Sequence, residues 1–363
     1  KVDSMTTEHA EVNKETDVVR RDASVDILKG VAIIAVVFGH VYRGMWSAGL
    51  GSSELLPGKQ IIDNSVYFWH LVIFAFLSGI FVSRGIAREG TKKYFKSRAT
   101  LFLWLYIVWQ IIQVGIKFFA SANVNTKVSL VDAFAFWKPE GQLWFFPWII
   151  IALAVSILLG VWRRSRLSWL GLLLLALLSV ASWGYDGGYV GTQGLSLIFF
   201  YALGIYLGYE RFSDLLMSVS VWVHGVIAFI GLSLYVVGLF TLPAITPTVQ
   251  SAHPRSFMII ASGILMTSLS SVSLISLGYL LSKISVGKIF AFIGRYSLEI
   301  FIAHIVFVSI VRMVMTKGGV FSIPIYLVAG VVIGVILPIL LGKFVSRCGI
   351  PLFSIPRFSK GAS

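Results

Sequence analysis

Apolar residues in this chain come in long unbroken stretches rather than in the three-to-four-residue beat of a soluble amphipathic helix. Runs near 20 residues, each ended by charge or by Gly, Pro and polar clusters, predict helices at about 24–43, 64–83, 99–119, 143–161, 167–184, 194–209, 217–240, 256–282, 289–315 and 324–342. From Val31 to Phe38 the first run is apolar on every side, as a helix facing lipid or buried in a bundle is. A hydrocarbon core of about 30 Å takes roughly 20 apolar residues per crossing. The expected fold class is therefore an all-α, polytopic integral membrane protein of about ten transmembrane helices.

Composition supports this. The 363 residues are 57% hydrophobic and 13% charged, about half the charge of an ordinary globular domain at roughly 25%, and mean hydropathy is +0.87. Disordered, collagen-like and disulfide-rich secreted classes are excluded, as is a large soluble catalytic domain. The single Cys348 has no internal disulfide partner.

The net charge of +14 changes meaning once it is mapped onto the predicted spans. With a cytoplasmic N-terminus, 22 of the 30 Lys and Arg residues fall on the inner side, so the positive-inside rule gives an N-in, C-in topology. The basic balance is then a topology signal and calls for no nucleic-acid partner. Residues 1–22 hold six acids and four bases with few large apolar groups and read as a disordered cytoplasmic tail. Met5 reads as the native start, with residues 1–4 left over from cloning. The transmembrane domain is expected over 23–343 and a second cytoplasmic tail over 344–363. Neither a cleavable signal peptide nor a sequence repeat is evident.

An ionisable side chain near a helix centre costs about 2.5–3.5 kcal/mol on insertion scales, which singles out Lys29, His40, Glu299 and His304. Lys29 and His40 are eleven residues apart, and eleven steps of 100° return to within about 20° of the start. Both project from one face, about 16 Å apart along the axis, with Lys29 near the cytoplasmic boundary and His40 in the outer half. Singly, Lys29 reads as a snorkelling anchor and His40 as a satisfied core histidine; on a shared face they read as a polar seam. Asp26, one turn before Lys29, can hold its charge. His70 enters the second span from outside at a depth comparable to His40, and an interface histidine is the plain alternative. In the ninth span Arg295 and Glu299 stand at i, i+4 and can neutralise each other. Glu299 and His304 lie about 140° apart, so one cavity reaches both only by wrapping that helix.

Two connecting segments add candidates. RGIAREGTKKYFKSR, from Arg84 to Arg98, holds six bases and one acid. It reads either as positive-inside charge against anionic lipid or as a phosphate grip for a cytosolic anionic cofactor. The outer WKPEGQLWFFPW places Trp137, Trp144 and Trp148 in an aromatic belt, with Glu140 and Gln142 available to a polar acceptor. No metal-ligand spacing is present.

Taken together, these elements resemble the membrane-bound acyltransferase-3 family. SVDILKGVAIIAVVFGH is similar to its first helix, in which Arg or Lys, ten residues and then His is the hallmark; Lys29 and His40 fit. WHLVIFAFLSG resembles the second helix, with His70, Ser78 and Gly79 in place and Leu71-Val72 where Met-Pro is usual. GQLWFF, FFYALGIYLG and IGRYSLEIFIAHIVF resemble three later elements, and the whole extends from about residue 24 to 315. Lys93-x-x-Lys96 followed by Arg98 stands where the family has Arg-x-x-Arg. The fucose-4-O-acetylase-like branch is the nearest.

The resemblance implies O-acyl transfer, usually of acetyl from cytosolic acetyl-CoA to a hydroxyl of a cell-envelope glycan or glycolipid, by a multi-pass protein of the bacterial plasma membrane in contact with membrane lipids. Acyl-CoA is then held by Lys29, Lys92, Lys93, Lys96, Arg98 and Arg295, its pantetheine arm rising along the Lys29 face. His40 becomes the general base, since an imidazole with an unperturbed pKa near 6.5 suits that task. Lys29 orients the cofactor or stabilises charge, and His304 or Glu299 orients His40 or the acceptor. His70, Glu140, Gln142 and Trp144 meet the acceptor, and a transient acyl-histidine stays open. Metal plays no part in this reading. Two others remain: a secondary transporter using the same seam as a proton or substrate path, and a lipid-linked sugar glycosyltransferase, which would want clustered external acids where Glu54, Asp63, Asp132, Glu140 and Asp186 are widely spread.

Overall fold

The computed structural model describes residues 23–49, 58–119, 129–248, 255–320 and 322–356; the expected N-terminal tail and Glu54 lie outside them. Among the described residues the secondary structure is helical throughout. The first five helices are α1 (Ala23–Ser47), α2 (Lys59–Tyr67), α3 (His70–Gly79), α4 (Val82–Glu89) and α5 (Thr91–Phe119). A short 3-10 turn, Gly141–Trp144, leads into α6 (Phe145–Leu158), followed by α7 (Arg166–Ala181) and α8 (Ile198–Ser218). The chain ends with α9 (Val221–Thr241), α10 (Phe257–Leu281), α11 (Gly287–Arg295), α12 (Ser297–Lys317) and α13 (Ile323–Arg347).

Eight of the described segments are long and apolar enough to cross a membrane. The two other expected spans form helices of a different kind. The run at 167–184 becomes α7, only 16 residues long. The run at 194–209 becomes α8, which kinks at Gly208 (φ 68°, ψ 167°) and continues into a half bearing Glu210, Arg211 and Asp214. Arg164 holds the kink by donating to the Tyr206 and Leu207 carbonyls, each at 2.9 Å. Outward faces are apolar where a soluble protein would carry charge: Leu170, Leu173, Leu174 and Leu177 on α7, and Phe229, Leu234, Val236 and Val237 on α9, are all exposed. These features make it a membrane protein.

Two predicted straight spans are broken. The second reaches from Lys59 to Glu89 but bends at Trp69 (φ −131°) between α2 and α3. Carbonyls around the bend are taken up by side chains: Trp69 Nε1 and the Tyr235 hydroxyl donate to Ser65 O at 2.7 and 3.0 Å, and His70 Nδ1 donates to Val66 O at 2.5 Å. The ninth breaks at Tyr296 (φ −104°, ψ 18°), separating α11 from α12. Arg295 and Glu299 therefore do not share one helix. Arg295 lies over the Phe292 ring and Glu299 packs beside Gly342 of α13, so the expected i, i+4 neutralisation is replaced.

Helix α1 runs through the middle, against α3, α10, α11, α12 and α13. Its approach to α11 depends on glycine: a Cβ on Gly30 would strike the Phe290 carbonyl, and one on Gly294 the Asp26 carbonyl. Gly79 of α3 and Gly204 of α8 meet in the same way, the small-residue contact that lets helices pack without a hydrophobic driving force. After α13, Pro351 and Leu352 lie along α5, their carbonyls accepting from Trp104 Nε1 at 3.0 Å and Trp109 Nε1 at 2.8 Å.

Candidate active site

His40 lies in the second half of α1, half-buried, and it lines two cavities. One, about 210 Å³, is walled by His40, Arg43, Tyr67, His70, Gln142 and Trp144, with Asp186, Gln193 and Thr248 across from them. The other, about 380 Å³, is a groove between α1, α5 and α12. Among the described residues no group hydrogen-bonds to the His40 ring. Its nearest aromatic neighbour is His304, with ring centroids 5.1 Å apart.

Tautomers follow from the backbone contacts. A carbonyl only accepts, so a ring nitrogen hydrogen-bonded to one carries the proton. His304 Nδ1 donates to Ile300 O at 2.8 Å, leaving a lone pair on its buried Nε2, which has no partner. His70 Nδ1 is likewise bound to Val66 O, so a neutral His70 also presents its Nε2 as an acceptor. Two glutamines, Gln142 on the smaller cavity and Gln113 on the groove, both donate through Nε2 to the Ile302 carbonyl at 2.9 Å, and the Oε1 of each is buried and unpartnered. Gln193 Oε1 and Thr248 Oγ1 are in the same state. The smaller cavity thus presents several unsatisfied acceptors and a hydroxyl, suited to a ligand rich in hydroxyls.

Arg43, one turn beyond His40, makes a two-pronged pair with Asp63 of α2, Nε to Oδ1 at 2.7 Å and Nη2 to Oδ2 at 2.6 Å. Its guanidinium lies 3.5 Å from the Tyr67 ring centroid. The sequence does not single out Arg43, and it shows Asp63 only as one of several scattered external acids. The available signal was the three-residue spacing from His40, which puts Arg43 on the neighbouring face of the same helix.

At the other end of α1 is a separate basic cavity of about 560 Å³, lined by Arg84, Arg88 and Arg98 with Ser78, Tyr94 and Tyr201. Arg98 Nε is buried there without a partner. Lys29 points toward its rim, with Nζ 5.2 Å from the centroid of Phe81, itself a lining residue. Lys92, Lys93 and Lys96 are exposed on the first turns of α5 and do not line this cavity. Arg84 and Arg88 do, although they belong to the same basic stretch. Arg295 lines a different pocket with Lys283 and Lys288.

Lys29 and His40 share a face but no cavity. Ile33, Val36 and Val37, which lie between them, are at most 2% exposed, so the expected polar seam is closed by packed aliphatic side chains. Beside it, Phe102 of the basic cavity touches Phe146 (centroids 6.1 Å apart), and Phe146 touches Phe301 of the His40 cavity (5.8 Å). Glu140 is held away from the His40 cavity by an ion pair with Lys117 at 2.5 Å, whereas Gln142, Trp144 and His70 line it. Among the described residues no cluster of three or more His, Cys, Asp or Glu stands ready for a metal ion.

No curated protein and no solved structure matches the chain. An acyltransferase domain matches residues 22–343, a span that takes in α1 to α12 and nearly all of α13, with both cavities around His40 and the arginine-lined cavity. The chain therefore belongs to the acyltransferase-3 family of membrane acyltransferases.

Proposed function

We propose that the protein is an integral membrane O-acyltransferase of the bacterial plasma membrane. It moves an acyl group, acetyl by family resemblance to the fucose-4-O-acetylase-like branch, from cytosolic acyl-CoA to a hydroxyl of a cell-envelope glycan or glycolipid. The observation that carries this reading is the placement of His40, an imidazole free of protein hydrogen bonds among the described residues and facing two cavities, on the same helix whose other end lies by an arginine-lined cavity. In this reading the N-terminus is cytoplasmic, and α7 and α8 complete a ten-span body.

Arg84, Arg88 and Arg98 take the phosphates of coenzyme A, for which guanidinium is the better-matched donor, while Lys29 holds charge at the rim and Lys92, Lys93, Lys96 and Arg295 draw anions to that side. The thioester reaches His40 when Phe146 and Phe301 part. His40 accepts the proton of the acceptor hydroxyl as the oxygen attacks the thioester carbonyl. Collapse of the adduct expels the coenzyme A thiolate, which takes that proton, leaving an ester and free thiol. His304 Nε2 offers a lone pair to the ring N–H of His40 that faces away from the acceptor, so His304 positions the base and Glu299 supports the helix that carries it. His70, Gln142 and Trp144 seat the acceptor.

Binding of radiolabelled acetyl-CoA to the purified protein tests the reading. Saturable binding, competed by free coenzyme A, is expected. Absence of binding together with solute movement in proteoliposomes would replace the enzyme by a secondary transporter.

A further inference from the structure

The groove between α1, α5 and α12 holds a cation that the acyl-transfer chemistry does not use. Arg312 is 9% exposed and has no carboxylate partner among the described residues. Its Nη1 donates only a long 3.5 Å bond to the Gly44 carbonyl. The other two cations of the groove are neutralised, Arg43 by Asp63 and Lys117 by Glu140. Behind the groove wall, Tyr326 has a buried hydroxyl without a partner, which lies with Arg312 Nη1 beside Gly44, itself a lining residue. A buried guanidinium without a counter-charge is costly, and an anion entering the groove at Arg312 would offset that cost.

Beside Ser47, Gln113 and Ser309, most of the remaining wall is apolar, with Ile116, Ile305, Val306, Ile310 and Met313. Ile116, Ile310 and Val314 continue it onto the outward faces of α5 and α12, where they are exposed. An anion cradle that opens onto a lipid-facing apolar surface fits an anionic head on a long hydrocarbon chain, and His40 joins it to the cavity whose free acceptors suit a sugar. Building on the acyltransferase reading, we propose that the groove is a subsite for a lipid-borne phosphate: the acceptor is a glycosyl phosphate on a lipid, with its phosphate at Arg312, its chain along α5 and α12, and its sugar in the His40 cavity.

The test measures binding to the full-length protein in nanodiscs, using a polyprenyl monophosphate, the polyprenol of equal length, and inorganic phosphate as competitor. The lipid phosphate should bind at least tenfold more tightly than the alcohol and resist competition by equimolar inorganic phosphate. Arg312→Gln should weaken it at least tenfold, with partial recovery in Arg312→Lys. Ser309→Phe, which narrows the groove from a half-buried position, should block it independently of the charge. Equal binding of phosphate and alcohol, full competition by inorganic phosphate, or wild-type binding in both Arg312→Gln and Ser309→Phe would overturn the proposal. Acetyl-CoA binding on the same samples separates the two readings. Its loss with lipid phosphate retained removes the acyltransferase and keeps the groove, and the reverse removes only the groove.

Discussion

His304 presents to His40, across 5.1 Å between ring centroids, an imidazole whose proton is already committed to the Ile300 carbonyl. The geometry fixes a lone pair on a buried nitrogen that no other group uses. In the proposed mechanism that nitrogen accepts the His40 N–H that faces away from the acceptor, an interaction that strengthens when His40 takes up a proton and becomes charged. A hydrogen bond to a charged group is worth about 1.5–3 kcal/mol, so His304→Leu should lower kcat roughly 10- to 100-fold with KM for both substrates nearly unchanged. His304→Gln keeps an acceptor near the Nε2 position and should recover part of the loss. Equal defects in the two variants, or a defect confined to KM, would remove the positioning role.

The basic cavity gives a second expectation. Arg98 is partly buried with a free Nε, so Arg98→Gln should raise KM for acyl-CoA about 10- to 100-fold while kcat changes little, the pattern of lost uniform binding. Lys92→Gln and Lys93→Gln, on exposed turns, should change it only a few-fold and lose that effect in high salt. Steady-state kinetics at two ionic strengths distinguishes them.

Phe301 closes the His40 cavity toward Phe146 and is 7% exposed. Phe301→Leu leaves a gap where the two rings meet, at a folding cost of about 1–2 kcal/mol, below the roughly 3–5 kcal/mol of a truncation to Ala. Water from the His40 side should then reach the thioester, and acetyl-CoA hydrolysis without acceptor should rise about tenfold. Unchanged hydrolysis with unchanged transfer would mean that the donor takes another path.

Much of this was legible in the sequence because bilayer physics writes itself in long apolar runs. The breaks were not: nothing local to Trp69 or Tyr296 marks a helix end, since neither site has Pro, and the Ser65 carbonyl before the Trp69 break is taken up by a hydroxyl from Tyr235, 170 positions further along the chain. His40 stands out in the sequence because a charge-bearing group in a span is expensive, and the structure places His304, His70 and Gln142 beside it. Arg43 and Asp63 were missed because each is unremarkable until α2 folds back beside α1. The Lys29 seam failed for a local reason. Helical phase puts Lys29 and His40 on one face, but Ile33, Val36 and Val37 fill the same face between them.

The central claim is that His40 is the base of an acyl transfer from acyl-CoA. The most direct measurement follows radiolabel from acetyl-CoA into envelope lipid and glycan, comparing wild-type protein with a His40→Ala variant shown to fold and to bind acetyl-CoA. A positioned general base contributes about 10²–10⁴-fold, so transfer should fall by at least a hundredfold while donor binding persists. Transfer by His40→Ala at a rate near that of the wild type would contradict the account.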